Sequence, residues 1–250
     1  ILKSHSGFAI YAGGDDILAL LPAKHALKAS IELKNCFQDT FRRQGITATI
    51  SASILYAHIG QILRKVIKTG HSLLEKVAKE TSGRDSLAVG VLLGSGLNLQ
   101  WSSPWSVVEG REKGTLPLEE IIHHFDLDEN EGSTFNSSFL YKLREQFTRI
   151  SDGFEISPGS FMKYEANEVE DIFRDIAHSE YRRRMKKEDR KVYPPDSTER
   201  GIIQLLSLSK QWWRTQDGKA QVTQGSFGFD GWRLGRFLKQ IAEGRVENHE

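Results

Sequence analysis

Cysteine is almost absent: Cys36 is the single one among 250 residues. That excludes an internal disulfide and any zinc site built on several cysteines. Cys36 falls within an apolar helical pattern and is expected as a small core residue. Long apolar runs are missing too. None approaches the ~20 residues that cross a bilayer, and no leader peptide precedes the first strand. No membrane partner is expected, and a cytoplasmic setting follows by default. An excess of either charge is also lacking, with 34 Lys and Arg against 33 Asp and Glu. Nothing global drives the chain toward a polyanion, so any basic surface must be local. There is no initiator Met, and a strand begins almost at once, which reads as a piece of a longer polypeptide. What is present is 38% hydrophobic and 27% charged residues, a globular rather than a disordered composition. The length suits one large domain or two ordinary ones.

The most informative stretch is Gly7-Phe8-Ala9-Ile10-Tyr11-Ala12-Gly13-Gly14-Asp15-Asp16-Ile17-Leu18-Ala19-Leu20-Leu21-Pro22. Two short apolar runs flank Gly13-Gly14-Asp15-Asp16, the pattern of a β-hairpin. One glycine would be ordinary at a turn. Two adjacent glycines leave the backbone bare to a large ligand. Two adjacent carboxylates repel each other unless a cation sits between them. Hard divalent ions take such oxygen ligands and keep substrate phosphates in their shell. The combination points to nucleoside triphosphate chemistry. The alternative is a solvated turn with no role.

After the hairpin, a helix is expected from Pro22 to about Arg43, with Ala26, Ser30, Leu33, Phe37 and Phe41 at helical spacing. Ile46, Ala48, Ile50, Ala52, Ile54 and Tyr56 then alternate with Thr47, Thr49, Ser51 and Ser53, the mark of a half-buried strand. Its small polar face is expected to stay open to a substrate. Residues 60–82 read as a helix, with Gly70 a place to kink it. Ser86–Leu93 reads as a buried strand, and Gly94-Ser95-Gly96 turns it into Leu97–Trp101. Together these form a sheet with antiparallel parts, covered by helices on one face. From Leu116 onward five apolar stripes recur at helical spacing and no strand is evident: 118–125, 139–147, 169–176, 202–212 and 232–241.

With these elements placed, the chain resembles the C-terminal part of the large subunit of type III CRISPR effector complexes, in the Cmr branch. The residues that carry the resemblance are Tyr11–Pro22, then Ser51-Ala52-Ser53-Ile54 with Ala57-His58. Ala78-Lys79-Glu80, Gly83-Arg84-Asp85 and Ser95-Gly96…Trp101…Pro104-Trp105 follow in order. The resemblance covers about residues 7–105. It implies an α+β fold: a nucleotide-cyclase-like palm domain over 1–108, lacking its first strand, then an all-α helical domain over 109–250. It implies that the palm converts ATP into cyclic oligoadenylates by two-metal phosphoryl transfer. Asp15 and Asp16 would be the catalytic ligands of Mg²⁺ or Mn²⁺. Gly13 and Gly14 would admit the nucleotide. Lys79 would meet the triphosphate, Ser53 the nucleotide and His58 the purine; a solvated Lys79 and a capped loop His58 are the plainer alternatives. The implied partners are the other subunits of the complex, its small helical subunit among them, with guide and target RNA.

The palm of that family has an earlier strand bearing a further metal-binding aspartate, which is not found here. The chain by itself is therefore expected not to turn over ATP. Two other functions stay open: an inactive scaffold module of the complex, and a GTP-using enzyme like the diguanylate cyclases. Tyr181–Lys191 is a basic run in which Arg182, Arg183 and Arg184 are candidate RNA contacts; a solvated helix end is the alternative. His123-His124 lies on a helical pattern where neighbours diverge, so one metal would not take both. Trp212-Trp213, Phe227, Phe229 and Trp232 read as core or interface anchors, with an apolar patch there expected to stay unburied.

Overall fold

The computed structural model describes residues 1–14, 16–125, 135–150, 158–163, 169–184 and 196–245. After a 3₁₀ turn, β1 (Phe8–Gly13) and β2 (Asp16–Leu20) form an antiparallel hairpin that is a two-stranded sheet of its own. Helix α1 (Ala23–Arg42) follows Pro22. It buries Ala26, Leu27, Ala29 and Lys34. Cys36 is exposed rather than a core residue. It stands about 200° around the helix from Lys34, at the edge of the buried stripe and toward the helix end at Arg42, rather than inside it.

The main sheet holds β3 (Ala52–Ala57), β4 (Ser86–Leu93) and β5 (Gly96–Pro104) in that order. β3 runs parallel to β4, and β5 antiparallel to it. The parallel pair is joined by α2 (Leu63–Ser72), which widens into a π-helix over Leu73–Thr81. The strand expected from Ile46 pairs only from Ala52, opposite Leu87. Upstream of β4, Arg84 and Asp85 take positive φ (67° and 46°), so no extended partner exists for 46–51.

The sheet is covered on both faces, not on one as the alternation suggested. Leu87, Val89 and Val91 join the large core with Ile54 and Tyr56. The opposite face of β4 packs Ala88 against Leu73, Val77 and Ala78 of the π-helix, with Leu55 and Leu97 beside them. A side chain at Gly90 would collide with Leu73, Leu55 and Leu97, so bare backbone there lets the π-helix come close.

The second half is not all-α. Helices α3 (Trp105–Val108) and α4 (Leu118–Ile121) lead to α5 (Ser137–Ile150), β6 (Met162–Lys163), α6 (Val169–Arg184) and α7 (Asp196–Ser209). Then come β7 (Lys210–Arg214), β8 (Ala220–Phe227) and α8 (Asp230–Ala242). β6, β8 and β7 make an antiparallel three-stranded sheet. Trp212 belongs to β7 rather than to the preceding helical stripe. Its indole N–H, 2.9 Å from the Ser207 carbonyl oxygen, donates to it.

One hydrophobic core runs from Ala26 and Leu27 through the main sheet to Leu238 and Ile241, across the boundary expected at 108/109. Its centre is aromatic: Phe147 stacks on Phe227 with ring centroids 5.0 Å apart, and Phe173, Phe229 and Trp232 close round them. The apolar patch expected at these aromatics is therefore buried; Phe227 is 1% exposed and Trp232 2%. Gly83, at φ +77°, fastens the halves together. A Cβ there would lie 2.1 Å from the Arg214 carbonyl oxygen, and the Arg214 N–H donates to Ser82 O at 2.8 Å.

Candidate functional site

Gly13 pairs with Asp16 across the hairpin, and Gly14 follows Gly13 at its tip. Gly14 has φ +63° and open space where a side chain would stand. A β-branched or bulky residue would be strained there. The Tyr11 ring lies beside Gly13, its hydroxyl 2.7 Å from where a Cβ would be. Asp16 begins β2 and is exposed. None of the described side chains pairs with its carboxylate. Asp15 lies outside the described residues.

Among the described residues no three His, Cys, Asp or Glu side chains gather to hold a metal. The donor set at the hairpin is thus Asp16, with Asp15 beside it in sequence. Unpaired carboxylate oxygens beside bare backbone suit a hard cation that keeps waters and phosphates in its remaining positions. The rest of the hairpin is apolar and bare: Phe8 is 60% exposed, Tyr11 56% and Ile17 52%. The second edge of β3 likewise pairs with no described strand.

The other candidates are not brought to the tip. The Ser53 hydroxyl donates to the Gly70 carbonyl at 2.9 Å, at the seam between β3 and α2. It lies on the face expected to be open, which α2 and the π-helix cover. His58 is exposed, and its Nδ1 accepts the Gly60 N–H at 3.1 Å, the geometry of a capped loop histidine. Lys79 sits on the π-helix and ion-pairs with Glu75 at 2.5 Å. The hydrogen bond from Lys79, reinforced by its charge and those of His71 and Arg84, holds the Glu75 carboxyl below its ordinary range. Sequence reasoning missed the π-helix. Gly70 was the expected irregularity, yet the wider turn starts three residues later at Leu73. Such turns are rare and concentrate at functional sites.

In the basic run, Arg182 and Arg183 end α6 on the surface. Arg183 bonds at 2.6 Å to Glu180, whose side chain is only 2% exposed, so this arginine compensates a buried carboxylate. The side chain of Arg184 and residues 185–191 lie outside the described residues. His123 and His124 occupy a short 3₁₀ helix, and burial lowers the His124 pKa, aided by the charges of His123 and Arg200.

Comparison with known proteins adds a second line of evidence. Residues 1–88 match the sequence model of the family described as the second palm domain of Cas10/Cmr2. A CRISPR system Cmr subunit Cmr2 from Pyrococcus furiosus is 37% identical over 92 residues. That alignment takes in 36% of this chain and 11% of the relative.

Proposed function

We propose, from the match of residues 1–88 to the Cas10/Cmr2 second palm family, that the chain is part of the large subunit of a type III CRISPR complex. Its hairpin tip serves as a metal and triphosphate site in that assembly. The observation that carries this reading is the tip itself: open space over Gly14 and an exposed Asp16 carboxylate that pairs with no described residue. Asp15 and Asp16 would hold Mg²⁺ or Mn²⁺ there. The ion supplies neutralisation of phosphate charge and activation of an attacking hydroxyl. Gly14 leaves room for the nucleotide chain, and Gly13 does so once the Tyr11 hydroxyl swings aside. In the full protein the reaction is nucleotidyl transfer from ATP, giving cyclic oligoadenylate. Lys79 reaches a triphosphate only by exchanging its bond to Glu75.

The exposed apolar faces of β1 and β2, with the unpaired edge of β3, support a further strand lying against them in the complete protein. An exposed apolar hairpin with open edges is otherwise a liability. That strand would bring the third carboxylate, so the chain by itself binds a nucleotide poorly and does not turn ATP over. Ile59 (97% exposed), Ile62 and Leu63 stand bare beside α2 and favour contact with another subunit.

Thermal unfolding of the full-length protein with Mg²⁺ separates the readings. Stabilisation by ATP and not by GTP is the expected outcome. At a ligand concentration 100-fold above Kd, the gain is about 2.7 kcal/mol. Stabilisation by GTP alone identifies a diguanylate-cyclase-like enzyme, and by neither, a scaffold module.

A further inference from the structure

At the far end of α1 from the hairpin, a helix of 20 residues and so about 30 Å away along its axis, a cleft of about 370 Å³ opens. Three arginines from separate parts of the chain line it: Arg42 at the end of α1, Arg111 after α3, and Arg214 at the end of β7. Ile46 gives it an apolar wall. The hydrogen-bonding capacity of these groups is largely unused. The Arg214 side chain is 25% exposed, and its sole charged partner among the described residues is Asp85, at 3.4 Å. No described residue accepts a hydrogen bond from it. Among the described residues the Arg42 side chain bonds only Asp39, and that of Arg111 only Glu109.

The acid of the cleft is equally under-used. Asp85 Oδ1 is buried and has no donor. Arg84 and Asp85 hold consecutive positive φ angles, a conformation that non-glycine residues adopt where surroundings impose it, often at ligand sites. Burial raises the Asp85 pKa against the pull of Arg214, Lys34 and Arg111. Lys34, Arg42, Arg111 and Arg214 stand against Asp39, Asp85 and Glu109. Cations lead by one.

We propose that this cleft binds a phosphoryl group, held by the guanidinium groups of Arg42, Arg111 and Arg214. Planar guanidinium forks match phosphate oxygens two at a time, which a lysine does not do. The volume lies within the ~300–1,000 Å³ range of small-molecule sites. The site is separate from the hairpin and needs no metal. The phosphoryl group belongs either to a small molecule or to an RNA backbone, and the two have the same chemistry here.

The test is calorimetric titration of the chain, in EDTA so that the hairpin is silent, with inorganic pyrophosphate and separately with an oligouridylate. Two variants are compared with the unmodified chain: Arg214→Met, and the double change Arg42→Gln with Arg111→Gln, both at surface positions. Each variant is expected to weaken binding about tenfold or more, with the double variant unfolding at the same temperature as the unmodified chain. Loss of pyrophosphate binding identifies a small-molecule site. Binding of oligouridylate alone, weakened by the same variants, identifies an RNA backbone site. Absence of binding by both probes, or binding that the double variant leaves unchanged, overturns the proposal.

Discussion

Replacing Asp15 and Asp16 together by Asn is expected to lower oligoadenylate synthesis by the full-length protein in its complex about 10³-fold. That is the loss of several kcal/mol of charge stabilisation at the phosphates. The fold should not notice. Asp16 is exposed and no described residue pairs with it, and surface changes of that kind usually stay within about 0.5 kcal/mol. Synthesis rate and thermal midpoint, measured on the same preparation, keep the two effects apart. A double variant with normal stability and normal synthesis would show that the carboxylates have no chemical role. A variant that unfolds early would show that they serve the fold instead.

Removing Glu109 is expected to be among the most destabilising single changes. Lys34 is 2% exposed, and its ammonium lies 2.8 Å from both carboxylate oxygens of Glu109 and 3.0 Å from Asn35 Oδ1. Trp105 lies beneath it, 6.0 Å to the ring centroid. Glu109→Ala leaves a buried ammonium without its counter-charge, which costs about 3–5 kcal/mol. Lys34→Met removes the charge and keeps the stem, and a buried pair replaced by apolar groups is often neutral or better. The asymmetry is the diagnostic. Urea unfolding should show a large drop for Glu109→Ala and little change for Lys34→Met with Glu109→Gln. Equal small drops in all variants would mean that water screens the pair.

Much of the architecture was readable because its signals are local. The stripes at 139–147, 169–176 and 232–241 became α5, α6 and α8, since three or four apolar residues per two turns have few other ways to be buried. The hairpin was readable from the two apolar runs that flank Gly13-Gly14-Asp15-Asp16. β7 and β8 were also readable, and were missed. Asp217-Gly218 stands in the loop between them, and Gln221-Val222-Thr223 carries β-formers. Trp212 had been assigned to the helical stripe before it, which hid the period-two pattern.

What was not readable depends on contacts between distant parts. The polar side of β3 looked open because Ser53 is polar. Its hydroxyl is instead satisfied by Gly70, 17 residues on, once α2 folds across it. Lys34 breaks the apolar stripe of α1, and only the arrival of Glu109, 75 residues later, explains its burial. Arg42, Arg111 and Arg214 share no motif, since a cleft assembled from three elements leaves no spacing in the sequence.

The most direct test of the hairpin as a metal–triphosphate site is Mn²⁺ binding to the full-length protein with ATP, followed by electron paramagnetic resonance. The result predicted is a bound-Mn²⁺ signal that depends on ATP and disappears in the Asp15→Asn, Asp16→Asn protein. A signal of the same size and affinity in both proteins would place the metal elsewhere and contradict the assignment of the hairpin.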